Sequence, residues 1–351
     1  MGRAHERGGS GDTPRKWRGV TRSQARQAMS YRDEIGAAYG GHAGFEVTPE
    51  VKVMTDGRGL AFPVLFTKER ADRPFGAQVD LYSRDDCPLC LSMREGKTKS
   101  NIVRGMEWLP ATYPIKSFHG IAYPAEHRAG ILAEDVVCIG AFLDRAGDAV
   151  ACWNLRGSGA SIPEHMHIQS HDFSLPARNG SRFQTGPGGA PAVAAATAFP
   201  LQGRQARMIS RQGGLVLSRV ADYPAFALLV QGPWDLVGRW MATYLAAANA
   251  RVHNFGMAPG GRLYVIPRGL GKAPSQENTY GASEMLGLIT PVTRPAYEAI
   301  SSFEVVAEAL RICGIENEKE RLAAEEHAAW AMRHVLSSGG GTPCRNSTSS
   351  A

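Results

Sequence analysis

The chain has no apolar run near the roughly 20 residues that a membrane-crossing helix requires. A membrane is therefore not an expected partner. The N-terminus lacks the continuous apolar core of a secretion signal, so a cytoplasmic location is the expectation. Cysteine is scarce: six in 351 residues, as a close pair at Cys87 and Cys90 and four singles. Scattered singles exclude a disulfide framework, and Cys-x-x-Cys in a chain without a signal points to metal or redox use. Cys138, Cys152 and Cys313 lie in apolar surroundings and read as small core residues, whereas Cys344 falls in a Gly/Ser/Thr-rich tail. Acidic residues do not dominate either; the formal charge is +6, and part of it comes from Arg3, Arg7, Arg15, Lys16, Arg18, Arg22 and Arg26. Those basic residues sit among Gly and Ser without the aromatic interleaving of a nucleic-acid surface, so residues 1–30 read as a disordered basic tail and nucleic acid is an unlikely partner.

What remains is a globular composition, with 43% hydrophobic and 21% charged residues. Short β-type runs occur at Phe45-Glu-Val-Thr, Val51-Lys-Val-Met and Phe62-Pro-Val-Leu-Phe-Thr. Asp85-Asp-Cys-Pro-Leu-Cys90 reads as a compact turn, and Phe118-His-Gly-Ile-Ala-Tyr123 as a strand closed by Pro124-Ala-Glu-His127. Residues 131–146 read as helix, Val150-Ala-Cys-Trp-Asn154 as strand, and the Gly/Pro/Ala-rich 177–200 as linker. Strand-like runs resume at 214–218 and 225–230. A helix over 233–250 carries Leu236, Trp240, Tyr244 and Leu245 at helical spacing, and 295–336 is helical. Arg262-Leu-Tyr-Val-Ile-Pro267 has the same length as His119-Gly-Ile-Ala-Tyr-Pro124, which suggests a degenerate internal duplication.

The chemistry concentrates in Asn154-Leu-Arg-Gly-Ser-Gly-Ala-Ser-Ile-Pro-Glu-His-Met-His-Ile-Gln-Ser-His171. A Gly/Ser loop leads into His165, His167, Gln169 and His171 at every second position, the spacing that places side chains on one face of a strand. Met166 and Ile168 then point to a core. Such a loop can cradle phosphate oxygens, and a neutral imidazole is nucleophilic near pH 7. His167 is the candidate nucleophile. Gln169 can donate to a phosphate oxygen but cannot serve as an acid or base for water, which favours transfer over hydrolysis. Ser158, Gly159 and Ser161 are the candidate phosphate donors, and Arg268, Lys272 and Arg128 the candidate cations for a polyphosphate. Gly269-Leu-Gly-Lys-Ala is not a P-loop, since the leading Gly and the residue after Lys are wrong.

The run His165-x-His167-x-Gln169 after Gly157-Ser-Gly-Ala-Ser161 resembles the histidine-triad superfamily. More narrowly it resembles the branch of galactose-1-phosphate uridylyltransferase, diadenosine tetraphosphate phosphorylase and the GDP-hexose phosphorylases. His119-x4-Pro124-x2-His127, Cys87-Pro-Leu-Cys90 and, more weakly, Glu284-Met-Leu-Gly-Leu-Ile-Thr-Pro are similar to further segments of that branch. The resemblance implies an α+β fold of two fused histidine-triad-like units, with an antiparallel sheet and flanking helices. The units would span 31–200 and 201–336, with a disordered tail over 337–351. It implies His167 as nucleophile, with His165 and Gln169 beside it, and Asn154 as a phosphate or ribose contact. It also implies a structural zinc on Cys87, Cys90, His127 and His165, with His119 as the competitor for His127. The implied substrate is a nucleotide or nucleotide-sugar, and the acceptor is phosphate or a sugar phosphate. Phosphorolysis of an NDP-hexose is the first reading. Dinucleoside polyphosphate phosphorolysis is the second and hexose-1-phosphate uridylyl transfer the third; a nucleotide-binding sensor without catalysis is the non-enzyme alternative.

Overall fold

A computed structural model describes residues 30–41, 47–71, 82–172, 183–185, 200–201, 204–247, 252–269 and 280–337. The N-terminal tail up to residue 29, Lys272, Cys344 and most of the expected linker lie outside them. The first half runs α1 (Tyr31–Tyr39), β1 (Glu50–Thr55), β2 (Ala61–Phe66), α2 (Lys68–Ala71), α3 (Pro88–Arg94), β3 (Glu107–Pro110) and β4 (Gly120–Tyr123). Then come α4 (Ala133–Ala146), β5 (Ala149–Asn154), β6 (Ile168–Asp172) and β7 (Phe183–Thr185). The second half runs β8 (Ala206–Gln212), β9 (Leu215–Val220), β10 (Leu228–Gln231), α5 (Trp234–Ala247), β11 (His253–Ala258) and β12 (Arg262–Pro267). Helices close the chain: α6 (Ala282–Met285), α7 (Arg294–Ala299), α8 (Phe303–Cys313) and α9 (Glu318–Ser337). None of the described helices is long and apolar enough to cross a membrane.

Nine strands form one antiparallel sheet in the order β3-β4-β6-β5-β11-β12-β10-β9-β8. The order repeats around the β5–β11 contact. On each side a hairpin, a helix and a second hairpin follow in sequence, and the last strand slots between its two predecessors. This is the expected α+β architecture of two fused units. The duplication aligns differently from the sequence expectation, however. The counterpart of β6, which carries Gln169, is β12, and the counterpart of β4 is β10. Arg262–Pro267 and His119–Pro124 therefore match in length only. Within the expected linker, β7 pairs in parallel with β1, so that stretch contributes a strand.

Side-chain alternation gives the sheet two different faces. Ala149, Ala151, Trp153 and Ile168 join one large core with α4, α5 and α9, where Trp153 and Phe255 stack across the central contact at 4.8 Å. Each such fully buried large side chain contributes about 1.5–3 kcal/mol. Close helix packing here requires glycine: a Cβ on Gly140 of α4 would overlap the Trp234 ring, and one on Gly238 of α5 the Ala133 carbonyl. Val150 and Cys152 point to the opposite face, which is covered by β2, α6 and α8. That second covering layer is pinned by backbone bonds: Ile289 N–H donates to Pro63 O at 3.0 Å and Leu65 N–H to Ile289 O at 2.8 Å. The proline at position 63 lies on an edge strand, where the missing donor costs no ladder bond.

Candidate functional site

The site is built where β5 ends and β6 begins, beside β11. Regular pairing of β6 begins only at Ile168, so His165, whose N–H closes a turn onto Ile162 O at 3.2 Å, and His167 stand before the ladder rather than within it. The expected alternation still holds, with Met166 and Ile168 packed into the large core. Met166 N–H donates to Arg128 O at 2.7 Å, which anchors this approach. Arg128 itself is committed to the start of α4, where it meets both Asp135 oxygens at 2.7 and 2.6 Å. Asp135 also accepts from Leu132 N–H at 2.7 Å, so Arg128 braces the carboxylate that caps α4.

His165 is fully buried and His167 is 7% exposed. The His167 Nδ1 lies 2.9 Å from the His165 carbonyl oxygen. A carbonyl can only accept, so Nδ1 carries the proton and the ring lone pair resides on Nε2. His165 shows the reverse tautomer. Its Nε2–H donates to Pro124 O at 2.9 Å, which leaves the lone pair on Nδ1, turned to Cys87 Sγ at 3.4 Å and Cys90 Sγ at 3.5 Å. Burial pushes the His165 pKa down to about 4 and so keeps the ring neutral.

Cys87, Cys90, His127 and His165 converge with all four ligand atoms within 4.8 Å of one another. Cys90 Sγ and His127 Nδ1 are 3.4 Å apart. Zinc–sulfur bonds of about 2.3 Å and zinc–nitrogen bonds of about 2.0 Å at tetrahedral angles require sulfur–nitrogen edges of about 3.5 Å. The donor set therefore fits a tetrahedral metal, and His119 is not part of it. Pro88 starts α3 directly after Cys87, which directs both sulfurs from one helical turn toward His165. Leu89, Leu109 and Tyr123 wall the cluster. A closed four-ligand set leaves no position for substrate, so the metal's role would be structural.

His119 instead faces His171 across the β4–β6 pair, with ring centroids 6.0 Å apart. Burial, and then its neighbours, hold His119 well below the usual histidine range; burial and then Lys116 push His171 down to about 4. Lys116, also buried, donates to the Asp172 carbonyl at 2.6 Å and lies 2.7 Å from one carboxylate oxygen as an ion pair, and Arg32 donates to the other carboxylate oxygen at 2.7 Å.

The Gly/Ser loop folds onto a polar network. Asn154 Oδ1 accepts from Ala282 N–H at 2.7 Å and from Asn254 Nδ2 at 2.6 Å. The Asn254 amide also donates to Ser158 O at 3.0 Å, and its own oxygen accepts from Arg268 Nη1 at 2.6 Å. Gly159 adopts φ +100°, and a Cβ there would come within 3.2 Å of Gly281 Cα, so glycine permits this close approach. Gly159 and Ser161 are exposed. Ser158, expected to donate to phosphate, is turned inward: its N–H and hydroxyl both donate to Leu155 O, at 3.0 and 2.8 Å. Arg268 is likewise not on the surface. It is 7% exposed and spent on Asn254 and the Tyr280 carbonyl, beneath the loop. Gln169 is reached from the second half of the chain: Ser283 Oγ donates to its Oε1 at 3.3 Å.

Sequence reasoning passed over Asn254, Tyr280 and Ser283. Asn254 had a legible signal, an amide directly ahead of the apolar run Phe255-Gly-Met-Ala258. Ser283 had none beyond its place next to Glu284. Two clefts, about 280 and 530 Å³, open around Tyr223 on the far side of this layer, away from the histidines.

No protein-family model matches this chain, and no curated protein matches it in sequence. Solved structures do. The structure of yeast Ap4A phosphorylase Apa2 in complex with Ap4A superposes with a TM-score of 0.53 at 16% identity, covering 81% of this chain and 96% of that one. A second structure of the same yeast enzyme gives a TM-score of 0.52 at 17% identity, over 81% of this chain and 93% of that one. The fold of this chain is thus the fold of that phosphorylase.

Proposed function

We propose that this chain is a nucleotidyltransferase of the phosphorylase type, working through a nucleotidyl-histidine on His167. The observation that carries the reading is the His167 Nδ1–H bond to the His165 carbonyl at 2.9 Å, which puts the lone pair on Nε2. In the first step Nε2 attacks the α-phosphorus and the bond to the leaving oxygen breaks, its electron pair departing with the leaving group. In the second, an acceptor oxygen attacks the same phosphorus and the electron pair of the P–N bond returns to Nε2. Splitting one displacement into two gives ping-pong kinetics and net retention at phosphorus.

Gln169 donates its amide to a non-bridging oxygen, and Gly159 and Ser161 admit the phosphate on the loop side. Asn154, Ser158 and Arg268 hold that loop in place from beneath, and Lys272 is the candidate cation for the outer phosphates. A zinc ion on Cys87, Cys90, His127 and His165 would fix the backbone that aims His167, without touching substrate.

The donor of the nucleotide is an NDP-hexose in the first reading, by the run from Gly159 to Gln169. A specific observation favours the second, a dinucleoside polyphosphate: yeast Apa2 has been captured with Ap4A and with AMP on the same fold. Inorganic phosphate or a sugar phosphate is the acceptor. The test is a panel of α-labelled nucleotides with and without phosphate, read by mass detection of an adduct on His167. His167→Ala is expected to lose the adduct and at least about a thousandfold in turnover. Tight binding without any adduct would favour the sensor alternative, and undiminished turnover by His167→Ala would remove the proposal.

A further inference from the structure

Gln169 is the second residue of β6, opposite Cys152 on β5 and Ile121 on β4. A glutamine amide has two faces of opposite character, and which one meets the phosphate depends on what binds the other. Ser283 Oγ approaches the Gln169 oxygen at 3.3 Å and is itself 3.4 Å from Cys152 Sγ. Ser283 is 6% exposed and Cys152 1% exposed. Burial pushes the Cys152 thiol up to about 12, so the sulfur keeps its proton and can donate it to Ser283 Oγ. The serine proton is then directed at Gln169.

Ser283 is held from several sides. Ala282 N–H is bonded to Asn154 at 2.7 Å, Gly281 N–H to Glu284 Oε2 at 3.0 Å, and Leu288 N–H to the Ser283 carbonyl at 2.9 Å. On the β4 side stands His119, whose Nδ1 accepts from Ile115 N–H at 3.3 Å and whose proton is therefore on Nε2. That Nε2–H is buried beside the same amide, short of a regular hydrogen bond. Donors approach Gln169 from both flanks, so its oxygen faces them and its NH₂ group faces the other way.

We propose that Ser283 is the positioning residue that fixes this amide orientation, and that it thereby keeps water from discharging the nucleotidyl-histidine so that an anionic acceptor takes the nucleotide. The inference rests on the transfer reading given above and goes beyond it in assigning the choice of acceptor to Ser283. Water must lose a proton as its oxygen bonds to phosphorus and the P–Nε2 pair returns to the ring. An amide presenting only N–H groups gives the attacking water no hydrogen-bond acceptor to hold it in line, and the proton it loses passes to a non-bridging oxygen of the released nucleotide. A phosphate oxygen arrives already charged and needs none. If the amide turned over, its carbonyl oxygen would orient water for the same attack.

The experiment uses the full-length protein with α-labelled Ap4A and GDP-hexose as probes, at fixed inorganic phosphate. It measures the ratio of nucleoside monophosphate (hydrolysis) to diphosphate (phosphorolysis). Losing one neutral hydrogen bond frees the amide by a factor of about five. Ser283→Ala is therefore expected to raise the hydrolysis-to-phosphorolysis ratio about fivefold while the His167 adduct still forms, and Ser283→Thr to restore the parent ratio. A purely structural role would change total rate and melting temperature without moving that ratio. Should Ser283→Ala fail to fold, Cys152→Ala, which withdraws the thiol behind Ser283, is expected to shift the ratio in the same direction by about twofold. An adduct that forms normally with an unchanged ratio in these variants overturns this inference alone. Absence of an adduct in the parent protein on every probe overturns the transfer reading and this inference with it.

Discussion

Asn254 is the place where a small change tests the largest part of the site. Its side chain is fully buried and makes three bonds: to Asn154 Oδ1 at 2.6 Å, to Ser158 O at 3.0 Å and from Arg268 at 2.6 Å. In Asn254→Ala, Asn154 keeps Ala282 as donor and Arg268 keeps the Tyr280 carbonyl. Ser158 O loses the donor that Asn254 supplied, and a buried group left unsatisfied costs about 1–3 kcal/mol. Adding about 1 kcal/mol for the weakened charge-assisted bond gives a loss of roughly 3 kcal/mol in urea unfolding. Asn254→Asp is the sharper probe because it is isosteric. It keeps an oxygen for Arg268 but sets carboxylate oxygens against Asn154 Oδ1 and Ser158 O, where donors stood. The aspartate variant is expected to be at least as unstable as the alanine variant near pH 7, and both should raise KM for the nucleotide more than they lower kcat. If Asn254→Asp matches the parent in stability, the hydrogen-bond directions assigned beneath the loop are wrong.

Further outcomes follow from the same geometry. The purified protein should carry one zinc per chain by elemental analysis. Cys87→Ser and His127→Ala should lose it, with a fall in Tm on the order of 10 °C, while His119→Ala keeps it. For His171, whose folded pKa of about 4 lies below the unfolded value of about 6.5, the unfolded chain takes up the proton first as pH falls. Stability is thus complete above about pH 6.5 and declines toward pH 4, by roughly 2 kcal/mol at pH 5, with His119 adding in the same direction. The groups facing His171 are Lys116, Asp172 and His119; urea titrations at pH 7, 6 and 5 should show a shallower slope for His171→Asn than for the parent, and an equal slope would refute the assignment. At Gly120, an added Cβ would lie 1.9 Å from Trp108 Cζ2, and that indole is buried and bonded to Ser170 at 3.2 Å. Gly120→Ala should cost about 3 kcal/mol in the same assay, since the ring has no room to retreat.

The readable parts of this protein were those where one residue type at one spacing has a single physical use. Alternation placed Met166 and Ile168 in the core, and the helix carrying Trp240 and Tyr244 followed from its periodicity, whereas the one at Ala133–Ala146 showed no clear period. The Cys87/Cys90 pair marked the metal cluster, but choosing His127 over His119 required the fold, because both flank the same short strand. The duplication was visible as an idea and misaligned in detail. A six-residue match between Arg262–Pro267 and His119–Pro124 contains no information on strand order, whereas the sheet pairs β12 with the role of β6. The direction in which the loop residues face was not legible for a related reason. Side chains of one loop can face the ligand or the scaffold, and Ser158 and Arg268 face the scaffold because Leu155 and Asn254 offer them partners there.

The two halves keep one topology and carry different residues at matching places. In the first, the strand between its two neighbours carries Gln169 and is led in by His165 and His167; in the second, the same position carries Arg262-Leu-Tyr-Val-Ile-Pro267, all apolar but its first residue and ending on Arg268. The second half has no imidazole at the matching place, and what it supplies is support: Asn254 under Asn154, Arg268 under Asn254, Ala282 on Asn154 and Ser283 on Gln169. Three of these contacts cross 100, 128 and 114 residues of chain to reach a loop or an amide of the first half, while Arg268 reaches Asn254 from 14 residues away within the second. A site of this kind depends on the fusion. The chemistry-bearing groups can be copied within one unit, but the donors that set their direction come from the other.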